Sequence, residues 1–220
     1  MIKRMGMFTR RIGMDRSQFS RHWAMVHRRI AGSMPGTKRY IQNHVFDPLD
    51  QPCATVPSYQ IDGIAEMWWT DAEAMEQTFN SEPARLWLLH DEPNFMGAIS
   101  VFLLEEDGES VADGTVKVIA PMRALSGMAE AAAAWRARLR TELPAVLRSV
   151  ESRVVDTRKR SHLPPDPVLP DFFLEFRFRS IQEAEAAITS SVGREIMMSA
   201  GTCLEKFGFH FMSEHTIISQ

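Results

Sequence analysis

Several features that mark common classes of protein are scarce or missing in this sequence. The 220 residues include two cysteines, Cys53 and Cys203, and their spacing matches neither a metal site nor a redox pair. The formal charge of −3 gives no basic surface for nucleic acid. No run approaches the roughly eighteen apolar residues of a membrane span, and the apolar residues 5–8 are too few for a signal peptide. We therefore expect a cytoplasmic protein without nucleic-acid or membrane partners.

Motifs for metals and nucleotides are missing too. There is no glycine-rich phosphate loop and no Gly-x-Ser-x-Gly nucleophile elbow. His22 and His27 are five residues apart, which on a regular α-helix separates their directions by about 140°, so they do not form a zinc pair. The sequence therefore predicts no metal and no cofactor, with haem as the alternative.

The segment from residue 15 to residue 46 has the clearest local pattern. Five apolar residues recur at helical spacing: Phe19, Trp23, Val26, Ile30 and Met34. This predicts a helix that faces a sheet, starting at Asp15 or Ser17 and ending at Pro35-Gly36. A strand is predicted over residues 39–46, with Tyr40, Gln42 and His44 on one face.

The chain contains an internal repeat. The predicted order of elements in residues 1–108 is β-α-β-β-α-β, and the same order starts again in residues 109–220. A constant shift of 109 pairs residues of the same type: Asp62 with Asp171, Glu66 with Glu175, Ser81 with Ser190, Arg85 with Arg194, and Phe102 with Phe211. The sequence therefore predicts two ferredoxin-like units, 1–108 and 109–220. Each has a proline-rich loop before its third strand, at residues 47–59 and 158–170.

Large apolar side chains predict how the two units pack. Six of them fall on predicted strands: Trp68, Trp69, Phe102, Phe176, Phe178 and Phe211. These are too many for a solvated sheet face, so we expect the two sheets to pack against each other as an α+β barrel within one chain. An apolar, aromatic cavity between the sheets is the predicted ligand site.

Three motifs carry a resemblance to a known family. They are Phe19-x-x-x-Trp23-x-x-x-His27, Pro35-Gly36-x-x-x-Tyr40-x-x-x-His44, and Asp62-Gly63-Ile64-Ala65-Glu66-Met67-Trp68. Residues 2–105 resemble the EthD family of the dimeric α+β barrel superfamily. The second half resembles the family only through its repeat geometry, since Arg136 stands opposite His27 and Arg153 opposite His44. We therefore expect one functional site, in the first half.

The resemblance implies a ferredoxin-like unit that pairs with a second copy, which here lies on the same chain. Further association of two chains into a homodimer fits the same pattern. The superfamily includes muconolactone isomerases, polyketide cyclases, cofactor-free monooxygenases, haem-degrading enzymes and dye-decolourising peroxidases. Its fold therefore does not determine the reaction.

The predicted function is cofactor-free acid/base chemistry on a small-molecule ligand, namely an aromatic, lactone or polyketide-like acid. His27, His44 and Tyr40 are the predicted catalytic residues of a lyase or isomerase, of the decarboxylase or dehydratase type. Four residues are predicted to contact the substrate: Trp23, Trp68, Glu66 and Phe102. The alternatives are a non-catalytic barrel that binds a small molecule or haem, and a cofactor-free monooxygenase.

Each polar candidate also has a structural interpretation. His27 could stabilise the C-terminus of its helix, and His44 could lie on an exposed strand face. Glu66 could form a structural ion pair, because Glu175 occupies the equivalent position in the half that lacks both histidines. Several other residues are interpreted as surface or capping groups: His22, Asp91, His210 and His215.

Overall fold

The computed structural model describes residues 1–48, 55–109 and 115–219. Its strands are β1 (Ile2–Arg10), β2 (Arg39–Pro48), β3 (Gly63–Trp69), β4 (Met96–Glu106), β5 (Val116–Ala124), β6 (Arg148–Arg158), β7 (Phe172–Phe178), β8 (Leu204–Phe207) and β9 (His210–Ser219). Its helices are α1 (Arg16–His22), α2 (Arg28–Gly32), α3 (Ala72–Asn80), α4 (Leu89–Phe95), α5 (Ala129–Glu142), α6 (Ile181–Thr189) and α7 (Ser191–Ser199). Cys53 and part of the predicted loop at residues 47–59 lie outside the described residues.

Eight strands close into one antiparallel barrel. Their order is β7-β6-β4-β1-β3-β2-β9-β5, and β5 pairs again with β7, while the short β8 adds to β5. The two units join edge to edge, through β2 with β9 and β4 with β6. The predicted α+β barrel of two repeating units is therefore confirmed, and its closure pairs both edges of each unit's four-stranded sheet. The division at residue 108 stays a prediction.

Most elements lie where the sequence patterns predict them, and the differences have local causes. The alanine-rich segment of residues 125–147 predicts one long helix. The observed helix α5 is shorter, because Gly127 takes a left-handed turn (φ 78°) before it and Pro144 follows its end. The short strand β8 was not predicted. Within the described residues, no helix is both long and apolar enough to cross a bilayer.

The barrel interior differs from the predicted apolar cavity. One part is an apolar cluster that includes Met5, Met7, Phe102 and Phe173. The other part is a buried ionic network of three cations and four carboxylates: Lys3, Lys117, Arg177, Glu66, Glu106, Glu175 and Glu214. The interior-facing positions of both sheets supply these charges, which alternate along each strand with side chains facing the helices.

The two proline-rich loops cross between the units. In the first loop, the carbonyl of Pro57 accepts from the Phe207 N–H, and Val56 packs in the core of the second unit. In the second loop, the carbonyl of Pro164 accepts from the Ile99 N–H at 2.9 Å, and Leu163 packs against the core of the first unit. Each unit is therefore covered in part by the other.

Candidate active site

A π-helical turn at Trp23–His27 lies between α1 and α2. The backbone N–H of Arg28 donates to the Trp23 carbonyl five residues earlier, instead of four as in an α-helix. The wider turn changes the direction of the side chains that follow it. As a result His22 and His27 point to the same carboxylate, so the predicted separation of about 140°, which holds for a regular helix, is wrong here.

Asp91, on α4, accepts a hydrogen bond from each of these histidines. His27 Nδ1 lies 2.8 Å from Oδ2, and His22 Nε2 lies 2.8 Å from Oδ1. Burial alone would raise the pKa of Asp91, but the hydrogen bonds from His27 and His22 outweigh it and lower that pKa. The ionised carboxylate holds the Nδ1 proton of His27, which leaves Nε2 as the basic nitrogen. Asp91 is therefore more than a helix cap, and His22 is more than a solvated side chain.

A cavity of about 40 Å³ lies between these helices and the outer face of the first sheet. Its polar lining residues are Arg4, His27, Tyr40, Glu92 and Arg160, and its apolar ones include Trp23, Met34, Met67 and Met96. By this measure it holds about three water molecules, whereas an aromatic ring needs several times more space. A ring can enter only if side chains move, and flexible methionines suit that requirement.

Tyr40 is buried and borders this cavity, and its hydroxyl group has two protein partners. Its oxygen accepts from Trp23 Nε1 at 3.3 Å and from Gln42 Nε2 at 3.0 Å. Burial raises the pKa of Tyr40 to about 12, so the hydroxyl keeps its proton at neutral pH. Because both of these contacts use the oxygen as acceptor, the O–H remains a donor for a ligand oxygen.

Gly63 allows Trp23 to pack closely on the sheet. A Cβ atom at position 63 would lie 2.6 Å from the Trp23 ring and 2.8 Å from the Phe8 ring. The side of the cavity formed by Trp23 therefore depends on this glycine.

His44 lies behind Trp23 and is not among the residues that line the cavity. Ser20 Oγ is 2.7 Å from its Nδ1, and Gln42 Oε1 is 3.2 Å from its Nε2. The ring is 3% exposed, which excludes the exposed strand face. Burial, with a smaller effect of His215, lowers the pKa of His44 to about 3. With both nitrogens engaged, His44 supports Trp23 and Gln42.

Three predicted substrate contacts lie on the other side of the sheet, inside the barrel. Glu66 accepts from Asn43 Nδ2 at 2.7 Å and pairs with Lys3 at 2.7 Å and with Lys117. Although burial opposes it, the charges of Lys117 and Lys3 lower the pKa of Glu66. Trp68 lies under the ammonium of Lys3, and Phe102 packs on Phe173 in the interior cluster. The seven predicted residues therefore do not form one site, and only Trp23, His27 and Tyr40 border the cavity.

The second unit supplies part of the cover over this cavity. Arg160 Nη2 lies 3.0 Å from Glu92 Oε1, and His162 Nε2 lies 2.6 Å from Glu92 Oε2. Arg160 and His162 belong to the second proline-rich loop, nearly seventy residues from Glu92. The stretch from Asp91 to Phe95 is also similar to the EthD family, but sequence reasoning gave Glu92 no role and interpreted Asp91 as a cap. For Arg160 and His162 the length of the loop was the only signal.

The corresponding region of the second unit has a different structure. Arg136, opposite His27 in the repeat, is buried, pairs with Glu151 at 3.2 Å and stacks 3.5 Å from the Phe172 ring centroid. Arg153 is exposed and pairs with Glu105. The helices here pack on the sheet through a large apolar cluster that includes Trp135. His27 and His44 therefore have no histidine counterpart at these repeat positions.

The residues around the cavity do not fit haem. His27 Nε2 is a nitrogen that could ligate iron, but the space beside it is far smaller than a tetrapyrrole, and Arg160 lies across it. In the part of the chain that the structure describes, no group of three or more His, Cys, Asp or Glu is arranged to hold a metal.

His210 is deeply buried, contrary to its surface interpretation. Its side chain faces the barrel interior, and within the described chain neither ring nitrogen has a hydrogen-bond partner. Burial, with a smaller effect of Arg16, lowers the pKa of His210 to about 3. His210 and His44 therefore both stay neutral in the folded protein under mildly acidic conditions.

We expect the protein to lose stability as the pH falls from 7 to 5. His44 and His210 have folded pKa values near 3 and an unfolded value near 6.5, so at these two positions only the unfolded chain gains protons in this range. Below pH 6.5 each contributes a loss that approaches about 1.4 kcal/mol per pH unit. Urea unfolding at pH 7 and pH 5 measures it, and His210→Leu should reduce the difference. His90 is exposed, so His90→Gln should leave the difference unchanged. If the free energy of unfolding changes equally between pH 7 and pH 5 in all three proteins, this account is contradicted.

Comparison with known proteins agrees with the fold and with the first unit. Residues 11–98, which lie in the first unit, match the EthD domain. An anthrone oxidase-like protein shares 11% identity over 98% of this chain and 93% of its own, with a TM-score of 0.67. A protein from Fusobacterium nucleatum that is named as a candidate monooxygenase shares 8% identity over 98% of this chain and 93% of its own, with a TM-score of 0.54. At such identities these likenesses show the tandem barrel fold alone.

A single-unit protein is also similar. An EthD family protein from Bacillus halodurans is 17% identical, covers 50% of this chain and 100% of its own, and has a TM-score of 0.38. No curated protein matches the chain.

Proposed function

We propose that the EthD-type first unit is a cofactor-free acid/base catalyst for a small aromatic or polyketide-like acid. The observation that carries this proposal is the cavity shared by His27, which Asp91 orients, and the donating hydroxyl of Tyr40. A base and an oxygen-stabilising donor on one cavity are the two groups needed to remove a proton from carbon beside a carbonyl.

The proposed step moves one proton and one electron pair. His27 Nε2 takes the proton from the carbon, and the C–H electron pair moves toward the carbonyl oxygen to form an enolate. Tyr40 donates its O–H to that oxygen, and Asp91 stabilises the imidazolium that forms. The enolate can then regain the proton at another carbon or expel a leaving group, which are the isomerase and lyase outcomes.

A second candidate, cofactor-free oxygenation, begins with the same step. An electron-rich aromatic enolate can react directly with dioxygen instead of being reprotonated. The names of two similar structures, an anthrone oxidase-like protein and a candidate monooxygenase, favour this outcome. Comparing product formation with and without dioxygen distinguishes it from the lyase and isomerase outcomes.

The test is exchange of the acidic carbon-bound hydrogen with deuterated water. Ligands are first found by the rise in melting temperature among a panel of aromatic carbonyl acids, and exchange is then followed by NMR. We expect His27→Asn to slow exchange by roughly 10²-fold or more while binding is retained. His44→Asn is the matched control and should keep most of the rate, because both nitrogens of His44 are engaged away from the cavity.

Two results would contradict the proposal. Exchange at the wild-type rate in His27→Asn would show that another group is the base. No exchange of any bound ligand by the wild-type protein would favour the non-catalytic binding barrel instead.

A further inference from the structure

Arg4 is a cation in the cavity without an anionic partner. Among the described residues, no carboxylate oxygen lies within 4.0 Å of its guanidinium nitrogens. Its guanidinium carbon lies instead 3.8 Å from the centroid of the Phe79 ring. The other arginine of the cavity, Arg160, is paired with Glu92 at 3.0 Å. The N–H donors of Arg4 are therefore available to a ligand, whereas Arg160 uses part of its donors for Glu92.

Glu92 and Glu76 lie near enough to favour the charge of Arg4, but neither forms a direct ion pair with it. Both oxygens of Glu92 are already occupied, one by Arg160 and the other by His162. Burial and the charge of Arg160 lower the pKa of Arg4 to about 9, so the guanidinium is still charged at neutral pH. Arg4 is half-buried and has no carboxylate of the described residues within 4.0 Å, so its charge is only partly compensated, and stacking on one aromatic ring offsets only part of that cost.

We propose that Arg4 binds the carboxylate of the substrate, which makes the substrate of the first unit an anionic aromatic or polyketide-like acid. This inference rests on the proposed function for placing the substrate in this cavity. The planar fork of a guanidinium matches a carboxylate in geometry, with two parallel N–H···O hydrogen bonds. A carboxylate there takes the place of the few water molecules that the cavity can hold, and supplies the missing counterion.

The proposal also separates the roles of the polar lining residues. His27 and Tyr40 act on the reacting carbon and its carbonyl, while Arg4, on β1, fixes the distal acid group. Arg4 is thus expected to determine which ligands bind, without taking part in proton transfer.

The test compares two probes of nearly equal shape, naphthalene-2-carboxylate and naphthalene-2-carboxamide, by calorimetry. The wild-type protein should bind the carboxylate about tenfold or more tightly, because a charge-assisted hydrogen bond is worth at least that factor. Arg4→Met should remove this preference and leave carboxamide affinity unchanged. Arg4→Lys should keep a reduced preference, since an ammonium lacks the fork. The control Arg138→Met removes an exposed arginine of α5 and should change neither affinity.

The outcomes are distinct from those for the proposed function. Equal affinity for the two probes, binding of neither, or an undiminished preference in Arg4→Met or Arg4→Lys overturns the role of Arg4. His27→Asn should retain the preference for the carboxylate. If it does so and still exchanges the carbon-bound hydrogen of a ligand from the panel at the wild-type rate, the proposed catalysis fails while the anion site stands.

Discussion

Replacing Lys117 with methionine is expected to lower the free energy of unfolding by about 3–5 kcal/mol. The Lys117 ammonium is fully buried, and it pairs with Glu66, with Glu175 at 3.2 Å and with Glu214 at 3.4 Å. Without it, Lys3 and Arg177 are the cations left for the buried carboxylates of the network. Since Glu66 belongs to the first unit and Lys117 to the second, the loss also weakens the connection between them. Urea unfolding at pH 7 measures the change.

Matched variants test whether the charge is responsible. Lys117→Met combined with Glu66→Leu should lose less stability than the sum of the two single changes, because neither charge is then left unpaired. Arg138→Met, which breaks an exposed ion pair on α5, should change stability little. A Lys117→Met protein that unfolds at the same urea concentration as the wild type would show that the network contributes nothing to stability.

Replacing Asp91 with asparagine is expected to reduce the turnover of the proposed reaction by about 10²- to 10⁴-fold. The carboxylate holds His27 by a 2.8 Å hydrogen bond and supplies the negative charge that faces the imidazolium formed during proton transfer. Asparagine keeps the shape and removes that charge. In a buried site, where water does not substitute for it, the transition state loses most of this stabilisation. The deuterium-exchange assay measures the change, with the affinity for the ligand expected to remain.

His22→Gln is the matched control for this prediction. It removes the second histidine from Asp91 and leaves the contact between His27 and Asp91 in place. We expect a change of a few-fold at most, because His22 is not among the residues that line the cavity. If Asp91→Asn exchanges as fast as His22→Gln, the charge of Asp91 does not assist catalysis.

The second proline-rich loop, at residues 158–170, connects the second unit to the cavity of the first unit. Its Arg160 and His162 occupy both oxygens of Glu92, and its Leu163 packs against the core that holds Trp23. The first unit therefore depends on the second for its cover as well as for the closure of its barrel.

Local patterns in the sequence determined most of the fold. Alternation with period two identified the strands, helical spacing identified the helix of Phe19 and Trp23, and the shift of 109 identified the repeat. These signals depend on near neighbours in the chain, so a single sequence contains them. The motifs that resemble the EthD family, together with the strand pattern, identified His27 and Tyr40, which both border the cavity.

Only the tertiary structure decided how the candidate residues are distributed. Alternation along a strand shows which side chains share a face, but not which face borders the ligand space. Closure of the barrel therefore decided that Glu66 and Phe102 lie inside and that Tyr40 faces the helices. The π-helical turn at Trp23–His27 and the second proline-rich loop were likewise unpredictable. The turn helps to bring His27 to Asp91, which is 64 residues away, and the loop brings Arg160 to Glu92, which is 68 residues away. Contacts at such separations depend on the packing of whole elements, which local sequence patterns do not encode.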